Sequence, residues 1–448
     1  MLRYGYSVKE IIKFTIPMIL NSLVMSLMFT VDRLILAKYS ITSMNAVAIA
    51  GSFLAVANLA GMGITQMASV FVGQYNGMKE YHKIGRPIWQ MIYFGLALIV
   101  VFLPLAFWCD KFHIFAPKYE AEGLRYLKTL MTVGWLSAVN AALVSFFVGR
   151  GKSFIVIAVF LIGNLINVVL DIAFVFGVNG IISPMGSIGA AYATVIGEVF
   201  FTLCFGAVFL SNRYKTRYGT LDMKFRPKLF KDCLKIGAPI SLSRFASQTG
   251  WLIIAICYNH VSPELATCES FAITLWMCFI FCAIGGSHSI EALGANLIGK
   301  DQKQSIHNLL KLFLKWYCIL CAIFSIPLVF YQTPLLNFAI DVSNNLDINF
   351  LNDQLSFLMR IMLIVVLTDG IYYIICGVLS AGGDTLFPTV LEIVALWFGA
   401  VIPTIILFFM NELTSIKTIY WLVVAEQTII IFIAYYRYKS DKWFKKIV

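Results

Sequence analysis

The 448-residue chain is 60% hydrophobic and only 13% charged, with a mean hydropathy of +0.84 and a formal net charge of +11. A soluble domain is nearer half apolar and a quarter charged, so this balance excludes an ordinary soluble enzyme or binding module. The Lys and Arg excess lies between long apolar stretches, where the positive-inside rule accounts for it without nucleic acid as a partner.

Twelve apolar stretches follow in chain order, at about 8–37, 44–73, 87–109, 122–148, 152–176, 187–210, 228–259, 264–298, 306–331, 350–381, 386–410 and 414–438. A hydrocarbon core of about 30 Å takes roughly 20 helical residues. Strand-type alternation is nowhere sustained, so helices satisfy the backbone in lipid. The first stretch is too long for a signal-peptide core and lacks a small-residue cleavage site, so it reads as a retained span. The ten cysteines lie mostly within spans, and "CILC" has no second pair; they read as small buried hydrophobes.

Basic residues follow the even spans: Lys79, Lys83 and Arg86; Arg150 and Lys152; Arg213 to Lys228; Lys300 and Lys303; and the Lys-rich tail. The loop after the ninth span carries Asp341, Asp347 and Asp353 instead. An even span count then places both termini in the cytoplasm. The absence of an N-x-[ST] sequon fits a bacterial inner membrane.

The chain also repeats. "IKFTIP" ending at Pro17 resembles "LKIGAP" ending at Pro239, and "VGQYNG" ending at Gly77 resembles the stretch ending at Gly299; both pairs lie 222 residues apart. "SIGAAYATVIGE" matches "SIKTIYWLVVAE" later, with Glu198 and Glu426 in equivalent places. Six spans separate equivalent points, which predicts two pseudo-symmetric six-helix lobes of parallel topology. The expected division is 1–210 and 228–448, joined by the basic linker 211–227.

An ionisable side chain inside a span costs roughly 2.5–3.5 kcal/mol and needs a reason. In "IGNLINVVLDIAFVFG", Asn164, Asn167 and Asp171 fall at i, i+3 and i+7, on one helix face. Amides donate and accept while a carboxylate accepts, so the face suits a shared proton, an oxygen-ligated cation or interhelical hydrogen bonds. Asp32, in "SLMFTVDRLILAKYS", and Asp369, in "VVLTDGIYYIICG", are acids inside other spans, and for each a structural role stays open. Arg33 can snorkel to an interface. His288 and Glu291 have the spacing for a local pair, and Arg244 and Glu392 face either a cavity or polar partners. Tyr372, with Trp276 and Met277, can line a cavity or simply pack. There is no P-loop and the five His residues are scattered, so no catalysis is expected.

At these residues the sequence resembles the multidrug and toxin extrusion (MATE) family. The resemblance rests on "NLINVVLDIAFVFG", "FTVDRLILAKYS", "VGQYNG", "GSIGAAYAT" and "GVLSAGGDT", which stand in family order along nearly the whole chain. It implies a cation-coupled antiporter that exports small organic, cationic drugs or metabolites by alternating access. It further implies a first-lobe site for H⁺ or Na⁺ at Asp32, Asn167, Asp171 and Thr194, a helix-one hinge at Pro17, and a second-lobe acid at Asp369. Ser247 stands where some members carry a helix-seven Glu. The expected protein is a monomer among membrane lipids, without cofactor. A lipid-linked oligosaccharide flippase of the same superfamily is the alternative, since Arg33 and Arg244 put positive charge in the spans.

Overall fold

The computed structural model describes residues 5–112, 115, 117–330 and 348–447. Among them, nine helices are long and apolar enough to cross a membrane, and two further pairs bent by 42° pass together as single spans. These eleven and the N-terminal helix fall one for one on the twelve predicted stretches. They are α1 (Val8–Tyr39), α2 (Thr42–Gly77), α3 (Tyr81–Lys111), α4 (Tyr119–Val133 and Trp135–Val148), α5 (Ser153–Phe176) and α6 (Ser187–Phe209). Then follow α7 (Pro227–Val261), α8 (Pro263–Met277 and Phe279–Gly299), α9 (Lys303–Phe330), α10 (Ile348–Ala381), α11 (Leu386–Phe409) and α12 (Lys417–Lys439). The protein is an all-α, multi-pass membrane protein. The loop carrying Asp341 and Asp347, and the Arg33 side chain, lie outside the described residues.

Local chemistry sets the ends and breaks. Ser40 caps α2 by accepting a 3.3 Å hydrogen bond from Ser43 N. Gly177 stops α5 at φ +79°, a conformation that disfavours any side chain. In α11 a π-turn at Trp397–Val401 interrupts the helix.

By their contacts the residues fall into two compact units. The first comprises Lys9–Leu242 with Ala295–Asp301 and the extreme C-terminus; the second comprises Ser243–Gly294 and Gln302–Lys445. In the first, α5 and α6 pack antiparallel and close: a Cβ at Gly189 would lie 2.7 Å from the Phe174 backbone. The second has an apolar core built from α7, α8, α10, α11 and α12, with Tyr258, Leu355, Met359 and Tyr420 among its buried members.

The basic segment between α6 and α7 is ordered. A short helix, Asn212–Tyr218, stacks Tyr214 and Tyr218 on the Arg150 guanidinium, 4.6 and 4.4 Å from their ring centres, with Phe146 on the same cation at 3.6 Å. After Gly219 a turn, closed by Asp222 N donating to Gly219 O at 3.0 Å, leads into a non-helical ribbon against α3.

Candidate functional site

The site grows from the packing of α1 beside α5. Ser153 Oγ donates to Phe14 O at 2.8 Å, the Asp32 and Asp171 carboxyls are direct neighbours, and the Tyr39 and Phe176 rings lie 6.2 Å apart. The two helices therefore run parallel and in register over most of their length. Asp32 meets Asp171 because each lies 18 residues beyond the first of these contacts.

Asp171, Asn167 and Asn164 are 1%, 0% and 7% exposed, whereas Leu165, Val169 and Ile172 on other faces of α5 are exposed to the surroundings. The polar face of α5 thus points into protein. Neither carboxylate oxygen of Asp171, no amide atom of Asn164 or Asn167, and not Asp32 Oδ1 has a hydrogen-bond partner, although all are buried. Buried polar atoms without partners are rare, because each forfeits its hydration. Two carboxylates in contact cannot satisfy one another; they repel unless a proton or a cation sits between them.

Helix α6 closes the other side. Gly163 faces Phe201, Asn167 faces Gly197 and Phe174 faces Gly189, an antiparallel register that sets Asp171 level with Ala193 and Thr194. Thr194 Oγ1 donates to Ala190 O in its own helix at 3.0 Å, which leaves its lone pairs as acceptors. Asn21, which sequence reasoning passed over, belongs to the same stripe: its buried Oδ1 is also unpartnered, and eleven residues make close to three whole turns to Asp32. Pro17 lies inside α1, about 22 Å along the helix from Asp32, outside the cluster.

Asp369 and Tyr372 sit in the second unit, among other acids. Trp276 Nε1 donates to Asp369 Oδ2 at 2.7 Å, and Tyr372 OH donates to Pro388 O at 3.0 Å. Glu392 accepts from Ser243 Oγ at 2.6 Å and from Ser247 Oγ at 3.1 Å, and Arg244 has Glu291 and Glu392 as charge neighbours. Glu426 packs against Gly399 in the π-turn of α11. Its repeat equivalent, Glu198, instead takes a 2.7 Å hydrogen bond from Asn140 Nδ2.

The MatE family model matches this chain twice, over residues 17–173 and 239–405. The chain belongs to the MatE family. The two matches begin at Pro17 and Pro239, the pair that opens the sequence repeat, so each half carries one copy of the family unit. This MatE transporter is 22% identical to the probable multidrug resistance protein NorM of Thermotoga maritima over 87% of its length and 83% of that protein's. It is 25% identical to NorM of Vibrio parahaemolyticus over 60% of each chain. Its fold is similar to an outward-facing multidrug resistance MATE transporter of the MOP superfamily, with TM-score 0.81 and 16% identity, covering 95% of this chain and 93% of that one. It is also similar to a MOP superfamily transporter from Pyrococcus furiosus described as having a binding pocket of reversed polarity (TM-score 0.84, 16% identity, 98% and 97% covered). The twelve helices are those of a transporter, and the chain is no enzyme.

Proposed function

We propose that this transporter is a cation-coupled antiporter that exports small organic, cationic compounds from a bacterial cell, with both termini cytoplasmic. The observation that carries this reading is the Asp32–Asp171 pair, two adjacent carboxyls enclosed by amide atoms that have no partner in the protein. A proton bound by the pair, or a Na⁺ held by oxygens of Asp32, Asn167, Asp171 and Thr194, relieves both the repulsion and the missing hydrogen bonds. The bacterial relatives named for multidrug resistance support the substrate class.

Ion entry from outside neutralises the pair and changes how α1 packs on α5; substrate leaves outward. The lobes, 1–210 and 228–448, then reorient, the ion is lost inward and substrate enters. Ion and substrate must each bind the two conformations unequally, or neither drives the other. One charge moving inward yields about 2.3 kcal/mol per 100 mV. The flippase reading needs an unbalanced cationic cavity, and Arg244 is instead flanked by Glu291 and Glu392.

Proteoliposomes loaded with a fluorescent organic cation, given either a pH gradient or a Na⁺ gradient, test the proposal. Efflux driven by one gradient and lost in Asp171→Asn is the expected result. Undiminished coupled efflux in the variant removes the assignment.

A further inference from the structure

The ribbon between the short linker helix and α7 has a use that transport does not require. Its backbone is tied to α3 by side chains of that helix. Trp89 Nε1 donates to Thr220 O at 2.7 Å, Tyr93 OH donates to Met223 O, and Gln90 both donates to Lys224 O at 3.1 Å and accepts from Arg226 N at 2.8 Å. Arg86 and Arg226 hold the Asp222 carboxylate at 3.0 and 2.7 Å. Gly219 lies so close to Gly85 that a Cβ on Gly85 would meet its carbonyl at 2.5 Å. These anchors run from Gly85 to Tyr93, about 12 Å along α3 from its basic end.

Water would satisfy the ribbon's carbonyls and amides without help. Helix side chains do so instead, which is what non-helical backbone needs at the edge of a bilayer. Leu221, Met223 and Phe225 are 52%, 43% and 56% exposed, with the Phe225 ring set edge-on to Tyr93 of α3 at 6.1 Å. Lys224 and Lys228 are exposed among them, and among the described residues neither forms an ion pair. An exposed apolar row with free ammonium groups beside it matches one partner chemistry in both charge and hydrophobicity.

We propose that residues 220–228 form a binding surface for an anionic phospholipid. Leu221, Met223 and Phe225 take the upper acyl chain, and Lys224 and Lys228 take the headgroup phosphate. Trp89 and Tyr93 fix the ribbon at interfacial depth.

Titrating the delipidated full-length protein with phosphatidylglycerol or phosphatidylcholine, with bound lipid counted by native mass spectrometry, tests this. The first phosphatidylglycerol should bind at least about fivefold more weakly to Lys224→Gln/Lys228→Gln than to wild type. A variant with equal charge loss at other exposed lysines, Lys311→Gln/Lys442→Gln, should keep wild-type affinity. Leu221→Ser/Met223→Ser/Phe225→Ser should weaken both lipids, with helix content by circular dichroism unchanged. Equal weakening in the two lysine pairs would make the effect one of overall charge and overturn the proposal. So would a wild-type affinity in the serine variant, which would mean that the ribbon faces water. If the serine variant does not fold, the comparison of lysine pairs alone decides.

Discussion

Two sites, one in each unit, bury acids in helices and treat them differently, although Glu269 and Glu426 of the second unit also each keep one oxygen without a partner. In the first, Asp171 keeps both oxygens without a partner and stands against a second carboxyl, Asp32. In the second, Asp369 is held by Trp276, and Glu392 by Ser243 and Ser247 with Arg244 close by. A buried acid whose hydrogen bonds come from the protein is already satisfied and ties helices together. One that lacks them costs stability until something from outside supplies them. On the function proposed above, the Asp32–Asp171 pair is the place where an ion changes the energy of a conformation, and Glu392 and Asp369 are structural acids.

The sharpest way to break the comparison is Asp171→Asn. It should reduce gradient-driven efflux to background, since a neutral amide neither titrates nor brings a negative charge to hold a cation. It should also raise the unfolding midpoint, because it removes a repulsion that nothing in the fold offsets. Thermal unfolding of the two proteins in detergent checks the second half, and a lower midpoint would mean that the carboxylate is structurally satisfied after all. Function and stability moving in opposite directions is the signature of an unsatisfied site.

In the second unit the sign should reverse. Ser243→Ala/Ser247→Ala strips both hydrogen bonds from Glu392 and should destabilise the protein by about 1–3 kcal/mol, read as a lower denaturation midpoint. Transport per folded molecule should change much less. Asp369→Asn is milder still, because the amide oxygen can accept from Trp276 Nε1 in place of the carboxylate. Its initial efflux rate should stay within about threefold of wild type, a loss of no more than about 0.65 kcal/mol. A collapse to background in this variant would erase the contrast and give the second unit its own coupling acid.

How much of this was legible in the sequence follows from range. The twelve spans were, because apolar length is a local property that lipid reads directly. So was the polar face of α5, since i, i+3 and i+7 need no knowledge of the fold. What met that face was harder. Asn21 offered only a spacing, eleven residues before Asp32, and its importance depends on α1 lying parallel to α5. The serines that hold Glu392 lie 149 and 145 residues away from it, and the Gln90 bonds that pin the linker span more than 130. The basic residues of 211–227 read as charge alone, while their order comes from partners on α3 and α4.

That linker supplies the smallest effect and a last contrast, between an acid at the surface and the acids within. Burial of Asp222 favours its neutral form, but the hydrogen bond and charge of Arg226, then the charge and hydrogen bond of Arg86, outweigh this and hold its carboxyl below the ordinary range. A carboxyl lowered in the folded state contributes stability above its unfolded pKa and loses it as pH falls through the folded one. Stability from this pair should therefore be constant near neutrality and fade only under strong acid. The residues are partly solvated, so Asp222→Asn should cost about 1 kcal/mol or less at neutral pH. The difference between variant and wild-type midpoints should close as the pH drops below the carboxylate range. A difference that persists there would mean that the ribbon is held by shape and backbone bonds, with the ion pairs contributing nothing of their own.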